Sequence, residues 1–197
     1  MLTRDEALKL LEEYVTDPGL RRHCLAVEAA MRAYAPRFGE DPEAWGLVGL
    51  LHDFDYERWP DPPDHPLRGA SILAEKGLPE DLIYAIKSHA DYLPDCPRIR
   101  PIEKALYACD ELTGFLLACA LVRPNGIADL TPASVKKKLK SKGFAAKVDR
   151  EQIYRGAAEF GVDLDAHIQF LIEALKPHAE LLGIAGSKTS APGQEAD

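Results

Sequence analysis

From residue 3 onward, apolar residues recur at three- and four-residue steps, and no segment of useful length alternates apolar with polar. That period gives an apolar face to helices and none to strands, so it constrains the chain to an all-α fold. Cap signals divide it further. Thr3 and Glu6 form a capping box ahead of Ala7, Leu8, Leu10 and Leu11. A second helix is expected from about Gly19 to Phe38. Asp41-Pro42 then supplies an N-cap and an N1 proline for a third helix, which carries Trp45, Val48 and Leu51. After a proline-rich loop, helices are expected over 66–76, 80–90 and 101–121. Thr131-Pro132 opens another, Asp149 and Gln152 cap the next, and the last spans about 163–182. The 197 residues suffice for one domain with a sizeable core. The expectation is a single all-α helical bundle over 1–183, and a small, polar, disordered tail over 184–197.

The formal net charge of −8 argues against a general binder of polymeric nucleic acid, because phosphate attraction needs a basic surface. It leaves room for a small phosphorylated ligand in a local basic or metal-bearing pocket. No apolar run approaches the roughly 20 residues that span a bilayer, so no membrane partner is expected. The opening MLTRDEALKLLEEY reads as an amphipathic helix rather than a signal peptide. Cys24, Cys96, Cys109 and Cys119 form no CxxC pair and read as reduced thiols, which fits a cytoplasmic protein. Lys136, Lys137 and Lys138 begin a basic run in an otherwise acidic chain. It is either a solvated helix face or, with Arg123, a rim that draws an anionic substrate.

The histidines carry the chemistry. His23 lies near the start of a helix with Ala26, Val27, Ala30 and Tyr34 at helical spacing. His52-Asp53 ends the Trp45-Val48-Leu51 stripe, His65 closes the loop WPDPPDHP, and His89 follows Leu82-Ile83-Ile86. Asp110 shares an apolar stripe with Ile102, Leu106, Thr113 and Leu117. A carboxylate there is costly to bury unless it is paired with a cation. Taken singly, each residue has an ordinary explanation: an aspartate salt-bridged to an arginine, or a hydrogen-bonded core histidine. His167, in the last helix, and His178, after a proline near its end, are read as structural. Taken together, four histidines and two aspartates at helix ends and inner faces make a donor set suited to Zn, Mn or Fe.

The order His23, His52-Asp53, Asp110 resembles the HD superfamily of metal-dependent phosphohydrolases, over about residues 20–120. His65 and His89 match the positions used by HD proteins that hold two metals. EKALYACDELTGFLLACALVRP and SVKKKLKSKGFAAKVDR look like a subgroup of predicted HD hydrolases with no assigned substrate. The resemblance implies an HD-like helical bundle with His23, His52, Asp53 and Asp110 on one divalent transition metal (Mn, Fe, Zn, Co or Ni). His65 and His89 would hold a second ion bridged through Asp53, or would contact phosphate if a single ion binds. It also implies hydrolysis of a phosphomonoester or phosphodiester bond in a small, nucleotide-like substrate, with Asp53, His65 and His89 in catalysis. Single-metal nucleotidases of the family often carry an acid three positions after the HD aspartate. Tyr56 stands there, which leaves Asp55 or Glu57 beside it as the candidate acid, Asp55 being the expected one. Two alternatives remain open: a di-iron oxygenase of HD type, and a non-catalytic metal- and nucleotide-binding sensor.

Overall fold

The structure is a computed structural model that describes residues 2–186. Among them are nine α-helices and no strand: α1 (Arg4–Tyr14), α2 (Pro18–Tyr34), α3 (Pro42–Leu51), α4 (Asp64–Glu75), α5 (Glu80–Lys87), α6 (Pro101–Leu121), α7 (Pro132–Leu139), α8 (Arg150–Phe160) and α9 (Leu164–Leu175). None of the described helices is long and apolar enough to cross a membrane.

The cap signals act as read. Thr3 N–H donates to Glu6 Oε2 at 2.8 Å and Thr3 Oγ1 accepts from the Glu6 amide, closing the box on α1. Asp41 and Asp149 accept amides from the first turn of α3 and α8, and Asp17 and Asp163, not singled out in the sequence, do the same for α2 and α9. The ends differ where proline intervenes. Pro36 has no N–H to offer, so the expected helix to Phe38 tightens into a 3-10 turn over Ala35–Phe38, which Gly39 stops at φ 70°. Pro177 does the same to the last helix: α9 ends at Leu175 and a 3-10 turn, Lys176–His178, follows. α5 ends at Lys87, which leaves His89 just beyond the helix rather than within it.

α2 and α6 form the centre. α2 packs against α3, α6 and α9, and α6 also packs against α8. The α2–α3 pair runs antiparallel and unusually close. A Cβ at Gly49 would lie 2.7 Å from the Val27 carbonyl oxygen, so only glycine lets these backbones meet. Buried Glu28 ties the same helices together, accepting from Arg4 Nε at 2.6 Å and Arg32 Nε at 2.8 Å. Arg32 reaches on to Glu43 of α3. The boundary expected at 183 moves outward: Ile184 is buried and its carbonyl accepts from Ile127 N–H at 2.8 Å. Its apolar side chain joins the core, which a count of small and polar residues does not register. The rest of the expected tail, 187–197, lies outside the described residues.

Candidate metal centre

The imidazoles come from the first turns of α2, the C-cap of α3, the start of α4 and the residue just past the C-cap of α5. His23 sits on α2 one turn before Val27, and His52 caps α3 three residues after Gly49. The close antiparallel packing therefore brings their Nε2 atoms to 3.1 Å. After His52 the chain turns; Phe54 is buried edge-on against Tyr14 and Asp55 is buried too. Asp53, between buried neighbours, is turned the other way, into a cavity of about 910 Å³. Asp110 comes from the middle of α6, with Oδ1 3.0 Å from His23 Nε2 and 3.5 Å from His52 Nε2. His65, in extended geometry before Pro66, and His89 complete the wall, their Nε2 atoms 3.2 Å apart.

Asp53 divides its two oxygens between these groups. Oδ2 faces His23 at 3.8 Å and His52 at 3.5 Å, whereas Oδ1 faces both His65 and His89 at 3.4 Å. Two clusters of donor atoms result, one of His23, His52, Asp53 and Asp110, the other of Asp53, His65 and His89, each compact enough for an ion.

The outward ring nitrogens are committed. His52 Nδ1–H donates to the Gly49 carbonyl at 2.8 Å, and His89 Nδ1–H to the Ile86 carbonyl at 2.5 Å. A carbonyl only accepts, so in the neutral rings both Nε2 atoms present lone pairs. His65 Nδ1 is held at 2.8 Å by Asp55 Oδ1, whose other oxygen accepts the Gly69 amide at 2.8 Å. Lone pairs of three imidazoles and the oxygens of Asp53 and Asp110 thus converge, an arrangement that repels itself unless a cation stands between them. The titration behaviour reflects this. Burial opposes charge on His52, yet Asp53 and Asp110 outweigh it and raise the ring to about 9. His89 is raised as well, against burial, by Asp53. Burial opposes ionisation of Asp53 and Asp110, yet His52 and its neighbours hold both below the usual carboxylate range. Burial pushes the nearby Cys24 thiol well up, so it is no competing thiolate ligand. The residues present fit a divalent ion with N/O preference.

Several expected site residues lie elsewhere. Asp55, expected as a catalytic acid, is 1% exposed, spends both oxygens on His65 and Gly69, and does not line the cavity. It positions His65. The basic rim is also corrected. Val135 and Leu139 point α7 inward toward α6 and α9, so its lysines face away: Lys136 pairs with Asp165 at 2.7 Å. Lys137, Lys138 and Arg123 line a separate cavity, and Arg123 is bound to Asp129. Glu57 caps α2's approach by accepting from the Thr16 and Asp17 amides. Tyr56 does line the cavity, its ring edge-on to His65.

Other lining residues escaped the sequence reading: Asp91, Tyr92, Glu111, Lys147 and Gln152. Burial, with the Asp110 charge beside it, pushes the Glu111 carboxyl up to about 7. Being one position past Asp110 was no sequence signal, because adjacent helix residues point about 100° apart. His167 is the ordinary core histidine expected. Tyr34 O–H donates to its Nδ1 at 2.6 Å and its Nε2–H donates to the Ala108 carbonyl at 3.0 Å.

Residues 20–114 match the family model described as HD domain, a span that holds every residue of the two clusters. No curated protein and no solved structure matches the chain. That match, over just under half of the chain, supports the HD-domain superfamily of metal-dependent phosphohydrolases.

Proposed function

We propose that the protein hydrolyses a phosphomonoester or phosphodiester bond in a small, nucleotide-like molecule, using two divalent ions. The observation that carries this reading is the divided Asp53 carboxylate, one oxygen toward each cluster. His23, His52, Asp53 and Asp110 would hold one ion; His65, His89 and Asp53 would hold the other. Divalent ions so placed supply a water acidified toward about pH 7 and positive charge for phosphoryl oxygens. The protein's own part is rigidity. Gly49 and Ile86 carbonyls and the Asp55 carboxylate fix three imidazoles, so little reorganisation is needed when charge develops nearby. Tyr56, Tyr92, Pro60 and Pro62 give the cavity an apolar and aromatic side against which a planar group can lie.

The test is metal analysis of the purified protein, followed by a phosphatase and phosphodiesterase screen with Mn, Fe, Co, Ni and Mg added back. Turnover of a phosphoester that tracks metal load is the expected result. A four-His, two-Asp donor set also suits a di-iron oxygenase. Iron with a visible absorption band and oxygen consumption, without phosphate release, would favour that reading instead.

A further inference from the structure

We infer that the turn segment 140–149 is the specificity element of the cavity, with Lys147 the cation that receives an anionic oxygen of the substrate and Arg150 the residue that positions it. This rests on the phosphoester reading above. Histidines aside, Lys147 is the one basic side chain among the described lining residues, and it faces a wall with the carboxylates of Asp53, Asp91, Asp110, Glu111 and Asp149. It is exposed and makes no ion pair among the described residues. Asp53 and Asp110 face the ions and Asp91 is paired with Arg98 and Arg155, so beyond the ions Lys147 is the cation that the cavity wall itself offers to an entering anion.

The segment is held in a manner unlike a free surface loop. Arg150, at the start of α8, turns its guanidinium back along the chain and donates to five carbonyls: Leu139 and Ser141 at 3.1 Å, Val148 at 3.0 Å, Ala145 at 3.4 Å, and Phe144. Phe144 anchors the turn edge-on against Phe115 of α6. Ala145 is the one non-glycine residue among those described with positive φ, at 45°, a left-handed conformation that an L-side chain keeps only where its surroundings impose it. Asp149 caps α8 through the Glu151 and Gln152 amides. A turn with its carbonyls gathered on one side chain, its aromatic plugged into the core and its backbone bent to φ 45° delivers Lys147, Val148 and Asp149 to the cavity in a fixed geometry. Lysine suits this post because it pairs with phosphate oxygens as a point charge without needing a bidentate geometry.

The test uses the full chain loaded with Mn, titrated with inorganic phosphate and with methylenediphosphonate, which cannot be hydrolysed. Lys147→Gln is expected to keep wild-type metal content and melting temperature while affinity for at least one probe falls ~10-fold, the worth of a charge-assisted hydrogen bond. Lys137→Gln, in the separate cavity, should change neither affinity. Arg150→Lys keeps the charge but loses the five-carbonyl fan. It should weaken the same probe per loaded site, whereas a purely structural defect would lower the loaded fraction and leave that affinity intact. Wild-type affinity for both probes in Lys147→Gln overturns the inference alone. A wild type that loads metal yet binds neither probe overturns the phosphoester reading, and the inference with it.

Discussion

Asp55 Oδ1 lies 2.8 Å from His65 Nδ1, and its Oδ2 accepts the Gly69 amide, so a buried carboxylate two residues past Asp53 aims the imidazole that faces Asp53. A Cβ at Gly69 would lie 2.7 Å from that same carboxylate, which is why the loop can close on it only with glycine there. Asp55→Ala should therefore lower affinity for the His65–His89 ion by roughly 10–100-fold, the usual effect of losing a ligand's orienting partner. The His23–His52–Asp110 ion should stay. Metal titration followed by calorimetry checks this; equal loss of both ions would mean that Asp55 supports the fold as a whole.

Gly49 sets the spacing between His23 and His52. Gly49→Ala forces α3 off the Val27 carbonyl and should cost about 1–3 kcal/mol of stability by overpacking. Because the two imidazoles meet just beyond that contact, metal content should fall along with the denaturant midpoint. Retention of the full metal load in a folded Gly49→Ala protein would show that the close approach is not what positions the pair.

His167 gives a pH dependence separate from the metal centre. Burial lowers its pKa, opposed only in part by the bond to Ala108. The unfolded chain takes up this proton near ~6.5 and the folded chain only at lower pH. Its contribution to stability is thus fully present above about 6.5 and is lost as pH falls from there toward the lowered folded value. His167→Leu leaves the Tyr34 hydroxyl and Ala108 carbonyl without this partner, at a cost of about 1–3 kcal/mol for each unsatisfied group. The difference between wild type and variant, read from urea unfolding, should be larger at pH 7.5 than at pH 5.5. A constant difference would contradict the buried, neutral assignment.

The helices and the six His/Asp side chains were legible because both signals are local: apolar spacing and caps act within a few residues, and the ligands sit near helix ends or, like Asp110, on an apolar stripe. What the sequence could not supply was the orientation of charged side chains. Lys136, Lys137 and Lys138 form a conspicuous run, but the inward turn of Val135 and Leu139 decides where they point, and that follows from α7 docking on α9. Lys147, unremarkable in the same basic stretch, reaches the cavity because Arg150 folds the turn around it. Asp55 looked like an acid by its place beside the motif. Its burial against Gly69, fourteen residues away, assigns it to His65 instead.

The central claim is that Asp53 joins two ions, and metal stoichiometry tests it most directly. Wild type reconstituted with excess Mn or Fe and freed of unbound ion should carry close to two ions per chain by elemental analysis. His65→Ala or His89→Ala should each remove about one, with His23 and Asp110 retaining the other. Asp53→Ala should lose most of both while its helical circular dichroism persists. Full metal load in Asp53→Ala, or a single ion in saturated wild type, would contradict the account.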